Sequence, residues 1–207
     1  MIVDPAASSN VDVYKLMIGS IVPRPIALVS TRSEDGILNL APFSFFTGVS
    51  ANPPVICFCP LRRGVPDPRS DPRKDTLRNI VRTREFVVNV VSEEIAEKMN
   101  LTAGEYPPEV DEFEIAGLTP VPSTVVTPPR VAESHVQMEC VLYLAIELSA
   151  LPLGGNLVLG EVVRFHIADH MVDNFRIDPE KLRAVGRMGG NSYTRTRDRF
   201  DMLRPKV

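Results

Sequence analysis

The stretch RPIALVSTRSEDGILNLAPFSFFTGVSANPPVICF, residues 24–58, decides the reading of the fold. Residues 25–31 are a short β-branched and aliphatic strand, and Ser33-Glu34-Asp35-Gly36 is a turn in which Gly36 can take positive φ. Residues 37–40 return as a second strand, which makes a hairpin. Ala41-Pro42 is expected to take the backbone out of the sheet, because proline has no N–H to donate to a ladder. Just beyond, Phe43, Ser44, Phe45, Phe46, Thr47 and Ser50 put three rings and three hydroxyls within eight positions. Buried hydroxyls need partners, so this segment is either a barrel strand bonded to neighbouring backbone or one wall of a polar pocket beside flat rings.

The same signals extend on both sides. Residues 11–18, with Ser9 or Asn10 as N-cap, read as a short helix whose stripe is Val13, Leu16 and Met17. Residues 55–59 form a further strand, and residues 60–73, with four prolines and a glycine, form a loop. Asp71-Pro72 opens a second helix with Leu77, Ile80 and Val81 facing inward. A strand at 85–91 and a short helix at 93–101 follow. The proline-rich segment 103–129 is anchored by Phe113, Ile115 and Leu118. Two long strands, 136–148 and 157–167, join through Pro152-Leu153-Gly154-Gly155, and Asp178-Pro179 starts a last helix. Many strands with few β-α-β alternations predict a mainly β protein, an antiparallel barrel with added α-helices. With no linker-like midpoint, residues 1–207 read as a single domain.

The longest apolar runs fall far short of the roughly 18–20 residues of a membrane span, and residues 1–10 lack a signal-peptide pattern. The expectation is a soluble, cytoplasmic protein with no membrane contact. A total charge of −3 speaks against a nucleic-acid partner. The distribution is uneven: residues 181–207 carry eight basic side chains against two acidic ones, a net +6 that leaves −9 elsewhere. That segment reads as a solvated tail or subunit contact, or as an anion-steering patch in which Arg187 is the favoured member. Cys57 and Cys59 share one strand face and read as small buried hydrophobes. Cys140 is isolated, His166 and His170 read as satisfied or exposed imidazoles, and no metal site is expected.

Lys74 and Thr76 fall at a helix N-terminus, where unpaired N–H groups favour an anion. A cation and a hydroxyl there suit a phosphate, although a solvated lysine and a capping threonine would look the same in sequence. No G-x-G-x-x-G follows a strand, no phosphate-binding glycine-lysine loop occurs, and no Ser-His-Asp order, supported Cys-His pair or carboxylate pair is present. Arg187-Met188-Gly189-Gly190 reads as a close-approach loop. Chemistry carried by a bound cofactor fits that inventory.

RPIALVST at 24–31, NLAPFSFFTGVSANPP at 39–54, RKDTLRNI at 73–80, EFVVNVV at 85–91, GEVVRFHIAD at 160–169 and VGRMGGNSY at 185–193, together with AES and EC near 132–140, occur in an order and spacing that resemble the flavin reductase-like proteins of the FMN-binding split-barrel group. The resemblance is in particular to the branch that includes flavoredoxin. The resemblance implies a Greek-key split barrel that binds FMN and receives hydride from NADH or NADPH at the flavin N5. It implies that Asn39, Ala41, Pro42 and Phe43 line the ring and ribityl chain, and that Ser44, Lys74, Asp75 and Thr76 handle the ribityl hydroxyls and phosphate. Arg187 and Tyr193 would close the site, Tyr193 from either subunit of a homodimer with the flavin near its interface. A monooxygenase or other electron acceptor would take the electrons. The alternative is a flavoredoxin-like carrier that holds FMN without its own NAD(P)H turnover.

Overall fold

The computed structural model describes residues 1–63 and 71–205. The middle of the loop expected over 60–73, and Lys206 of the basic segment, lie outside the described residues. Seven strands form one antiparallel sheet: β1 (Ala27–Arg32), β2 (Leu38–Phe43), β3 (Phe46–Ala51), β4 (Pro54–Phe58), β5 (Glu85–Val90), β6 (Val136–Glu147) and β7 (Asn156–Ile167). Their order is β2-β1-β5-β6-β7-β4-β3. The two edge strands are therefore β2 and β3, yet only Ser44 and Phe45 join them. A two-residue link cannot span a flat sheet of seven strands spaced roughly 4.8 Å apart, so the sheet curls into a barrel left open at one seam.

The β1–β2 hairpin forms as expected, with Ser30 opposite Leu40 and Gly36 at φ 89° in its turn. Pro42, however, does not end β2; it lies within the strand, opposite Leu28. The N–H of Leu40, two residues earlier, points away from β1 to the Glu112 carboxylate 3.0 Å off. Pro42 shares that outward register on an edge strand, where the missing donor removes no ladder bond. Of the three hydroxyls that follow, Thr47 and Ser50 are exposed on β3, and Ser44 alone is half-buried.

The barrel interior is filled by Ala27, Val29, Phe43, Phe58, Phe86, Val88, Cys140 and Val162. Phe58 stands between Phe43 and Phe86 at centroid distances of 5.1 and 5.5 Å, an edge-rich geometry that adds to area burial. Helix α2 (Asp75–Thr83) packs onto this interior through Leu77 and Ile80. Val81 is 42% exposed, contrary to expectation, because the buried side of this short helix runs through positions 76, 77 and 80.

A second apolar layer covers the outer face of β1 and β2. It uses Ile26, Leu28 and Leu40 against Met99 of α3 (Ala96–Leu101) and Phe113 and Ala116 of α4 (Glu112–Ala116). Leu118 joins this layer, but Ile115 is 45% exposed, since α4 turns its 113/116 side inward. Helix α1 (Asn10–Ser20) is capped by Ser9, which accepts from the Asp12 N–H. Its expected stripe does not form: Leu16 and Met17 are exposed and Ile18 is the buried residue. Cys57 lies on β4 but Cys59 falls just beyond its end, and both are half-buried rather than buried, while Cys140 is fully enclosed.

His166 is satisfied, its Nε2 lying 2.5 Å from Oε1 of the buried Glu139, and His170 is exposed. Near the C-terminus β8 (Val185–Arg187) pairs with β9 (Tyr193–Arg195). Among the described residues, no helix is long and apolar enough to cross a membrane.

Candidate functional site

Two adjoining cavities lie along the edge strand β2. The smaller, about 80 Å³, is lined by Asn39, Ala41, Pro42 and Phe43 of β2, by Lys74, Asp75 and Thr76 at the start of α2, and by Arg63, Glu112 and residues 102–106. The larger, about 190 Å³, is lined by Pro42, Ser44, Arg187 and Tyr193, with Tyr14, Arg24, Ile26, Met99 and Gly190 among its other walls. Pro42 and Ala103 border both. All ten residues singled out in the sequence thus line one continuous depression: seven at its narrow end and three, Ser44, Arg187 and Tyr193, at its wide end.

The narrow end has the chemistry of an anion cradle. Lys74 is the N-cap of α2 and no side chain caps that terminus, so its first-turn N–H groups and positive field are directed outward. The Thr76 hydroxyl is buried there and accepts from Nδ2 of Asn39 at 3.0 Å, which leaves its hydrogen to donate. Nζ of Lys74 stands 3.7 Å from Glu105, a partly exposed pair worth little. The Asp75 carboxylate is engaged by Arg63 at 3.1 Å and by Arg78, so Asp75 organises the helix start from within the wall. Arg63, itself buried, also donates to the carbonyl of Arg73 at 3.2 Å. Just upstream, hydrogen bonds from Arg73 hold the Asp71 carboxyl at about 2.

At the wide end the Arg187 guanidinium lies 4.4 Å from the centroid of the Tyr193 ring, and its Nη2 donates to the carbonyl of Gly190 at 2.6 Å. Gly190 has φ 58°, which suits glycine, and the Tyr193 hydroxyl donates to Asn100 at 3.0 Å. Arg187 therefore belongs to the ring-lined end and not to the Lys74 cradle. Four other cations of the basic segment are paired within the chain: Arg195 and Arg197 with Glu93, Arg199 with Glu180, Lys181 with Asp178. Such pairing weakens the reading of that segment as a free anion-steering patch.

Two wall residues escaped the sequence reading. Arg24 is buried and donates to the carbonyls of Ile18, Ile21 and Met188 at 2.7, 2.8 and 3.0 Å, and to Ser44 at 3.3 Å. The available signal was a lone arginine set between Pro23 and Pro25 at the head of an apolar strand. Glu112, one of several acids in its segment, carried no signal; burial pushes its carboxyl up.

A seven-stranded antiparallel barrel open at one seam, with a cation and a helix N-terminus facing a cavity on its edge strand, defines a split-barrel protein. Residues 18–182 match the family model described as flavin reductase like domain, and the chain belongs to that family. It is similar to the crystal structure of nitrilotriacetate monooxygenase component B from Bacillus cereus, with 39% identity, TM-score 0.91 and 98% of each chain covered. It is also similar to 2-nitrobenzoate 2-nitroreductase NbaA of Pseudomonas fluorescens, at 33% identity and TM-score 0.86 over 99% of this chain and 96% of that one. An uncharacterized protein of Aquifex aeolicus is 45% identical over 88% of this chain and 89% of its own length.

Proposed function

We propose that this chain is an FMN-binding flavin reductase that takes hydride from NADH or NADPH. The observation that carries the reading is the uncapped N-terminus of α2, flanked by Lys74 and the buried Thr76 hydroxyl, opening into a cavity continuous with a wider one walled by Tyr14, Arg187 and Tyr193. A phosphate would be held by Lys74, Thr76 and the first-turn N–H groups, the ribityl chain by Asn39 and the β2 backbone, and the ring near Pro42, Ser44 and the Arg187–Tyr193 stack. Bound there, FMN supplies the hydride and electron chemistry, and the chain's own task is to grip, orient and partly enclose it.

The functional unit we propose is a homodimer with the flavin near its interface. Tyr143, Ile146, Leu148 and Leu151 of β6 and the following turn expose apolar surface, as do Val163 and Phe165 of β7, and a second copy would cover it. The likeness to a monooxygenase component B supports a monooxygenase as the consumer of reduced flavin. The test is to purify the protein, record flavin absorbance, and follow NADH and NADPH oxidation with FMN added. Turnover with bound FMN supports the reductase; FMN bound without turnover makes the chain an electron carrier; no FMN at micromolar concentration overturns both.

A further inference from the structure

The cavity at the narrow end contains two opposed chemistries. Lys74, Arg63 and the α2 N-terminus favour an anion, yet Glu112 of α4 lines the same space and is only 8% exposed. Oε2 of Glu112 accepts from the Leu40 N–H at 3.0 Å. Among the described residues no side chain donates to this carboxylate. A buried carboxylate with so few donors is costly unless a ligand supplies one. Anionic ligand groups would be repelled there by an ionised carboxylate. An alcohol suits the site in either protonation state, because a hydroxyl both donates and accepts.

We infer that Glu112 is a specificity-determining residue of the flavin site that bonds a ribityl hydroxyl, so that the cavity reads a phosphate and a neighbouring polyol as one unit. The inference rests on the FMN reading above. Lys74, Thr76 and the first-turn N–H groups of α2 serve the phosphate, and Glu112 serves the carbon chain next to it. Glu112 also fixes the Leu40 amide, and Leu40 lies between Asn39 and Ala41, so the residue that would select the polyol also holds the strand lining it.

A chemical double-mutant cycle separates those two roles. Wild-type protein and Glu112→Met are titrated by flavin fluorescence with FMN and with an analogue whose ribityl chain is replaced by an unsubstituted five-carbon phosphoalkyl chain. Methionine keeps the length of the side chain but bonds neither a hydroxyl nor the Leu40 N–H, so any loosening of β2 weakens both ligands alike. The expected result is a Kd for FMN that rises about tenfold more than the Kd for the hydroxyl-free analogue. Equal losses for both ligands would reduce Glu112 to a support of β2, and no loss for FMN would remove it from the site; either result overturns the inference. If Glu112→Met does not fold, Glu112→Ala is read in the same way, with the same pattern expected. Failure of the wild-type protein to bind FMN is seen separately, and would defeat the FMN reading itself.

Discussion

The side-chain amide of Asn39 donates to the hydroxyl of Thr76 across 3.0 Å, with both residues buried, and so ties the edge strand β2 to the first turn of α2. A strand edge and a helix start are both places where backbone groups lack regular partners. Joining them through side chains gives the cavity two walls in fixed relation, without spending the hydroxyl's hydrogen.

Thr76→Val keeps the shape of that side chain and removes its oxygen. The buried Asn39 amide then loses its acceptor, at a cost of about 1–2 kcal/mol in unfolding free energy. Chemical denaturation of the apoprotein measures this. Thr76→Ser should recover most of the stability and, if the hydroxyl also donates to phosphate, the FMN affinity with it.

Lys74→Ala is expected to weaken FMN by about tenfold, close to 1.4 kcal/mol, through loss of a charge-assisted contact. Riboflavin, which has no phosphate, should be little affected. Titrating both ligands against both proteins decides the matter, and equal weakening would take Lys74 out of the phosphate site. Removing Lys74 also leaves Glu105 without its 3.7 Å partner, an exposed change of small consequence.

What could be read from the sequence, and what could not, divides along physical lines. The hairpin, the long strands and the second helix are local: alternation, a turn glycine and a proline ahead of an apolar stripe announce them, although α2 begins at Asp75 and not at the expected Asp71-Pro72. The outcome at Pro42 was not local. Whether a proline interrupts a strand depends on which side its nitrogen faces and whether that side has a neighbour, and only the strand order makes β2 an edge. Leu16, Met17, Val81 and Ile115 failed similarly, since helical spacing shows which residues share a side but not how wide a strip is covered. Glu112 and Arg24 are ordinary residues whose roles exist only through carbonyls and amides brought from distant segments.

Arg24 offers a test of that last kind of contact. Its guanidinium spans carbonyls at the end of α1 and in the Met188 loop, so it links two walls of the wide cavity. Arg24→Lys preserves the charge, but a compact ammonium cannot reach all three carbonyls and Ser44 in the planar geometry of the fork. The expected loss is about 2 kcal/mol, a fall in Tm of roughly 4–8 °C for a protein of this size, measured by calorimetry.

Acid stability should depend on Glu139, which lines neither cavity along β2. Its side chain is wholly buried, and burial alone would push the carboxyl up. The N–H groups of Thr124 and Val125, the His166 imidazole and the Thr124 hydroxyl overcome this and hold it at about 2, against 4.5 for a free glutamate. A carboxyl depressed in the folded state contributes stability that is fully present above about 4.5 and is lost as pH falls toward about 2. That difference corresponds to about 3 kcal/mol at neutral pH. Glu139→Gln should therefore be less stable than wild type near pH 7, with the gap narrowing as both are taken below pH ~4. Urea unfolding at a series of pH values reads the effect directly, and two parallel stability curves would show that Glu139 is not the group being titrated.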